Sequence, residues 1–268
     1  MVQVMASPKI ETQAPIVHAT YGHGPALAVV MAPVMPWWDE GRFFAPITER
    51  LVALGYKVMI FDSLSLEIPF GQADDLTTFT QAWRHILQGL GPLQLLAGSA
   101  LGGAVVQGLL GSRWGRGIPA ALLVSAPTAA DARLDQRLGL MAQLARDGEL
   151  QLALEFLDRW ILPEGQAPLP TALPEKDLAQ AGRRLTRGFG YLHGIDLRNA
   201  VQDYPGQLLS LYGAQSQLVR AANVSFARSP KHLAVSIASS GMRPHLDEPA
   251  LVWASIREQL RLGAQVGL

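Results

Sequence analysis

The sequence predicts an α/β protein: a doubly wound, mostly parallel sheet with an inserted helical lid. Three observations predict it. Short apolar runs alternate with stretches of helical spacing, the pattern of strands joined by crossover helices. From residue 129 to 200 the alternation stops and only helical periodicity remains. The stretch Leu93-Gln94-Leu95-Leu96-Ala97-Gly98-Ser99-Ala100-Leu101-Gly102-Gly103 runs from an apolar strand through a glycine-flanked turn into a helix. The chain therefore divides into a core, residues 1–128 and 201–268, and a helical lid insert, residues 129–200.

Each element has its own signal. Residues 1–25 are polar and contain Gly and Pro, and read as an extended lead-in with an edge strand near Ile16 to Ala19. Ala26 to Ala32 is a continuous apolar run bounded by Pro33, as in a strand buried on both faces. A loop, Pro33 to Gly41, carries Trp37 and Trp38. Phe43 to Leu54 has helical spacing and Gly55 closes it. Tyr56 to Phe61 is the next buried strand, and Asp75 to Leu90 a helix with Asp75 as its N-cap. After the glycine turn the helix runs to about Leu110, and Ile118 to Ser125 is again a strand. Leu134 to Ile161 is largely helical; a Pro-rich break spans Pro163 to Pro174; a further helix follows. Strands return at Gln207 to Tyr212 and His232 to Ala238, and Glu248 to Arg261 is a final amphipathic helix.

Composition narrows the function classes. The 268 residues suffice for one large domain, and 49% hydrophobic with 16% charged residues describes a globular chain. Lys+Arg and Asp+Glu are both 22, a balance that gives no footing for nucleic acid. With no cysteine there are no disulfides, thiolate metal sites or Cys nucleophile. Met1 to Pro15 lacks the features of a signal peptide, and no uncharged apolar run reaches membrane-spanning length. The expectation is a cytoplasmic protein with no membrane contact. His18, His23, His85, His193 and His232 are scattered without metal-ligand spacing, so no cofactor or metal is expected.

The glycine turn matches G-x-S-x-G with Gly98 and Gly102 at the outer positions and Ala100 at the centre. A second register places Ser99 at the centre, flanked by Ala97 and Leu101; Leu101 is bulky for so tight a turn. The strand–turn–helix layout resembles the nucleophile elbow of the α/β-hydrolase superfamily, and the resemblance extends over nearly the whole chain. The segment Phe189-Gly190-Tyr191-Leu192-His193-Gly194-Ile195-Asp196-Leu197-Arg198 is similar to the point where the lid rejoins the sheet in the esterases that release pimeloyl from its acyl carrier protein.

This resemblance assigns the catalytic positions, and in each the reactive residue is missing. The nucleophile position holds Ala100. The acid position follows the strand and glycine of Leu211-Tyr212-Gly213 and holds Ser216. The base position lies in Gly241-Met242-Arg243-Pro244-His245-Leu246-Asp247-Glu248-Pro249 and holds Met242. The His-Gly of the oxyanion loop reads Ala32-Pro33, leaving the N–H groups of Val34 and Leu101 as donors. The loop D-x-P-G-x-G reads Asp62-Ser63-Leu64-Ser65-Leu66-Glu67. His245 reads as structural, and Ser99 has no evident base.

The predicted ligand-binding set is Val34, Trp37, Trp38, Ser99, Ala100, Leu101 and Met242. Trp37 and Trp38 read either as packing under the lid or as an aromatic wall for an apolar ligand. Three function classes remain. One is a non-hydrolytic protein that binds a small apolar or acyl-type ligand or a protein partner. The second is a biosynthetic enzyme for cyclisation, elimination or isomerisation, working by positioning. The third is a carboxylesterase or thioesterase with displaced active residues.

Overall fold

Parallel pairing of apolar strands builds the molecule. The computed structural model describes residues 15–68, 71–168, 177–225, 229–260 and 262. Its strands are β1 (His18–Tyr21), β2 (Ala26–Met31), β3 (Tyr56–Phe61), β4 (Leu95–Ser99), β5 (Ala120–Val124), β6 (Gln207–Gly213) and β7 (His232–Ile237). They form one sheet in the order β1-β3-β2-β4-β5-β6-β7. β1 is antiparallel to β3, and the other neighbours are parallel.

Alternate residues of each strand point to opposite faces, and two apolar clusters result. Val29, Met31, Met59, Phe61, Leu96 and Leu123 belong to one cluster, covered by α2 (Leu76–Leu87) and α3 (Ala100–Leu110). Ala28, Val30, Val58, Ile60, Leu95 and Leu122 belong to the other, covered by α1 (Ala45–Ala53) and α9 (Pro249–Leu260). The strands are therefore buried on both faces, which is why they read as unbroken apolar runs.

The segment expected as a lid supplies α4 (Ala132–Arg146), α5 (Leu150–Ile161), α6 (Leu178–Leu192) and α7 (Arg198–Gln202), the last running two residues past the expected boundary at 200. It leaves and rejoins the core at one point: the Ala130 N–H donates to Ile195 O at 2.9 Å and the Leu197 N–H to Thr128 O at 2.7 Å. Aspartates start its long helices, Asp131 accepting from the Leu134 N–H and Asp177 from the Gln180 N–H, as Asp75 accepts from Thr78 at α2. α6 is tied to the core by paired charges. Arg184 reaches Asp62 through two hydrogen bonds, 2.7 and 2.8 Å, and Met35 O at 2.8 Å. One turn along, Arg187 and Tyr191 share Asp74, and the Tyr191 ring stacks on Phe79 at 4.5 Å.

Several boundaries differ from the sequence expectation. The helical run Leu134 to Ile161 is two helices, because Gly148 takes φ +87° and reverses the chain. Proline sets two starts: α1 begins at Ala45 beside Pro46, after a 3₁₀ turn over Arg42–Phe44, and α9 begins at Pro249. α2 ends at Leu87 and a 3₁₀ turn completes the run to Leu90. The edge strand lies two residues beyond its expected start, at His18. Residues 163–168 of the Pro-rich break are non-helical, and the rest of that break lies outside the described residues.

Candidate functional site

The glycines of the β4–α3 turn are dictated by contact. A Cβ on Gly98 would lie 2.5 Å from Gly102 backbone atoms. On Gly102 it would lie 2.1 Å from Met31 O, and on Gly103 it would lie 2.2 Å from the Ala126 Cβ. Between them Ala100 holds φ +46°, the left-handed region that a Cβ disfavours. Ser99 has an ordinary extended backbone, φ −121°. The sharp turn is thus centred on Ala100, in the Gly98/Gly102 register.

Ala100 lines a cavity of about 780 Å³ between the C-terminal ends of the strands and the lid helices. Val34, Trp37, Ser99 and Met242 line it too. From the lid come Leu134, Leu138, Leu154, Leu157, Phe189 and Leu192. The lining is mostly hydrocarbon, with Arg243, Asp158 and Glu155 among its charged members. No histidine is among the described residues that line it.

The remaining residues of the sequence-derived set lie elsewhere. Trp38 packs against the cluster under α1 and α9, on the opposite face of the sheet from Trp37. Leu101, in the first turn of α3, has a fully buried side chain within the core and is not among the cavity residues. Ser216 is buried beyond β6, and its Oγ has no hydrogen-bond partner among the described residues. It is not among the cavity residues, whereas Leu218 and Val219 of the same loop are.

Met242 joins two loops to the lid. Its sulfur accepts the Val219 N–H at 3.4 Å and its N–H donates to Ile161 O at 2.9 Å. Gln217 adds a second link, its Nε2 donating to Arg159 O at 2.9 Å. The loops after β6 and β7 and the end of α5 therefore form one wall. On the opposite side the Val34 N–H has no hydrogen-bond partner among the described residues. Pro33 does not prevent the loop from being fixed: Ala32 N donates to Phe61 O at 3.0 Å, and Ala32 O accepts from Ser63 Oγ at 2.7 Å.

His245 lies behind this wall. It is fully buried against Phe43 and Phe44, with Nε2 2.9 Å from Phe43 O and Nδ1 unpartnered. The carbonyl contact requires the proton on Nε2 in the neutral ring. Burial pushes its pKa down to about 4. Among the described residues no group of His, Asp or Glu side chains is placed to hold a metal ion. No helix among them is long and apolar enough to cross a membrane.

Sequence reasoning missed the Asp62–Arg184 pair, because partners 122 residues apart leave no local pattern. It also missed Arg243 and the lid leucines of the cavity. An amphipathic lid helix shows which face is apolar, but not whether that face meets protein or space.

No family model matches the chain, and no curated protein does. Solved structures do. The chain is similar to MGS-M2, an alpha/beta hydrolase enzyme from a Medee basin deep-sea metagenome library, with TM-score 0.70 and 11% identity over 91% of this chain and 93% of that one. It is similar to an esterase from Exiguobacterium antarcticum, with TM-score 0.67 and 15% identity over 92% and 95%. It is also similar to a bromoperoxidase from Bacillus anthracis, with TM-score 0.67 and 16% identity over 94% and 96%. The fold is that of the α/β hydrolases.

Proposed function

We propose that this protein is a non-hydrolytic member of the α/β-hydrolase fold that binds a small apolar or acyl-type ligand in the cavity above Ala100. The observation that carries the reading is the methyl group at the tip of the strained turn. A methyl cannot attack a carbonyl, and Met242 in the same cavity cannot take up a proton. Ser99 also lines the cavity, but no imidazole does, and a serine without a base is a weak nucleophile. Ala100, Ser216 and Met242 then stand at the nucleophile, acid and base positions of this fold's hydrolases. A site so composed favours holding a chain over cleaving it.

Hydrocarbon burial supplies the affinity. Each methylene that leaves water contributes about 0.8 kcal/mol, roughly fourfold in binding. Calorimetric titration with a series of primary alcohols from hexanol to decanol tests this. Affinity should climb by close to that factor per methylene, and a flat series rejects the binding reading. In parallel, a fluorophosphonate probe should leave the intact mass unchanged, and p-nitrophenyl butyrate should hydrolyse at the background rate. Stoichiometric labelling of Ser99 would instead establish a serine hydrolase.

A further inference from the structure

Among the described residues that line the cavity, Arg243 is the one partly buried cation whose guanidinium makes no hydrogen bond or ion pair. The other two cavity arginines differ. Arg42 is exposed and pairs with Glu40 at 3.1 Å, and Arg159 is exposed, its guanidinium over the Phe156 ring at 5.9 Å. A guanidinium carries five N–H donors; no described acceptor takes those of Arg243, and its nitrogens are not sealed from solvent, so they stand open to an anion that enters the cavity. Two carboxylates act on Arg243 through space, Asp158 of α5 and Asp247 of α8 (Pro244–Asp247), and neither forms an ion pair with it. Asp247 is engaged by the Gly241 N–H at 3.1 Å. Asp158 lines the same cavity, and Glu155, also in the lining, accepts from Gln151 at 2.9 Å. The floor around Ala100 and Met242 offers no charge.

We propose that Arg243 is the anion anchor of this cavity and that the ligand is an acyl chain ending in a carboxylate, its tail on the apolar floor and its head on the Arg243 guanidinium. This rests on the ligand-binding reading above. A planar fork of donors matches a carboxylate through two charge-assisted hydrogen bonds, which a neutral head cannot reproduce. Asp158 competes with the ligand for the same cation, and so weakens the binding of an anionic head without affecting a neutral one.

The experiment is calorimetric titration of the full chain at pH 7 with decanoate and with decan-1-ol. The unmodified protein should bind decanoate about tenfold tighter than decan-1-ol, the range of a charge-assisted pair. Arg243→Gln should abolish that preference, read as the ratio of the two affinities within the same variant. Asp158→Asn should raise the ratio of decanoate to decan-1-ol affinity roughly threefold. The preference should shrink as salt is raised. Equal affinity for the two probes in the unmodified protein overturns the inference, and so does a preference that survives Arg243→Gln. If Arg243→Gln fails to fold, the Asp158→Asn and salt arms decide: no rise in that ratio and no salt dependence overturn it. Binding of decan-1-ol without preference leaves the cavity reading standing and removes only the anchor. Binding of neither probe rejects both.

Discussion

Ala100 keeps a backbone conformation that its own side chain opposes. Its φ of +46° is held by the close approach of Gly98, Gly102 and Gly103 to their neighbours, so the turn does not depend on what stands at its tip. Ala100→Gly should therefore stabilise the fold by about 1 kcal/mol, read as a higher urea midpoint at unchanged slope. An unchanged or lowered midpoint would mean that the turn is not strained. Ala100→Ser alone should yield no esterase activity, because Met242 accepts no proton. Adding Met242→His and Ser216→Asp supplies base and orienting acid, and weak hydrolysis of p-nitrophenyl butyrate is the expected outcome. The single variant matching the triple would show that Met242 and Ser216 do not occupy those positions. The turn was legible in the sequence because its glycines follow from local contact. Trp38 was not: adjacent residues Trp37 and Trp38 fall on opposite sides of the sheet, and that division depends on the path of a loop with no period of its own.

At the scale of elements, α6 is fastened by the Arg184–Asp62 pair, whose side chains are 10% and 4% exposed. Arg184→Met leaves an uncompensated carboxylate in the interior and should destabilise by about 3–5 kcal/mol in denaturant unfolding. Adding Asp62→Asn to that variant should recover part of the loss, since the buried charge is then gone; no recovery would assign the effect to packing of the arginine stem. Strands and helices were readable because each answers to its own period: continuous apolar runs for two-face burial, helical spacing between them, and an aspartate at the start of α2. Their ends were less readable. Pro46 and Pro249 moved two helix starts, and Gly148 divides the largely helical run Leu134 to Ile161 into two helices. The cavity was legible only in part. Its floor comes from motif positions, but its roof comes from the pairing of α4, α5 and α6, which depends on contacts far apart in the chain.

For the whole molecule, His245 couples stability to pH. Its ring is neutral in the fold down to about pH 4, while in the unfolded chain it takes up a proton near 6.5. Between those values the unfolded state binds more protons, so stability falls as pH is lowered from 6.5 toward 4 and is lost no further below that. The loss from this one residue is on the order of 3 kcal/mol. A pH series of urea midpoints should show the decline, and His245→Gln should flatten it; an equal slope in both would rule out His245 as its source. The ties around the cavity carry a consequence for time rather than energy. Arg184 holds α6 to the Asp62 loop, while Met242 and Gln217 hold the end of α5 to the loops after β6 and β7. With both walls tied, the lining is in place before a ligand arrives, and exposed residues such as Arg42 and Leu246 stand at its mouth. Uptake then waits on no rearrangement, so chain lengths of differing affinity should enter at nearly the same rate and differ in how fast they leave, as stopped-flow binding would read.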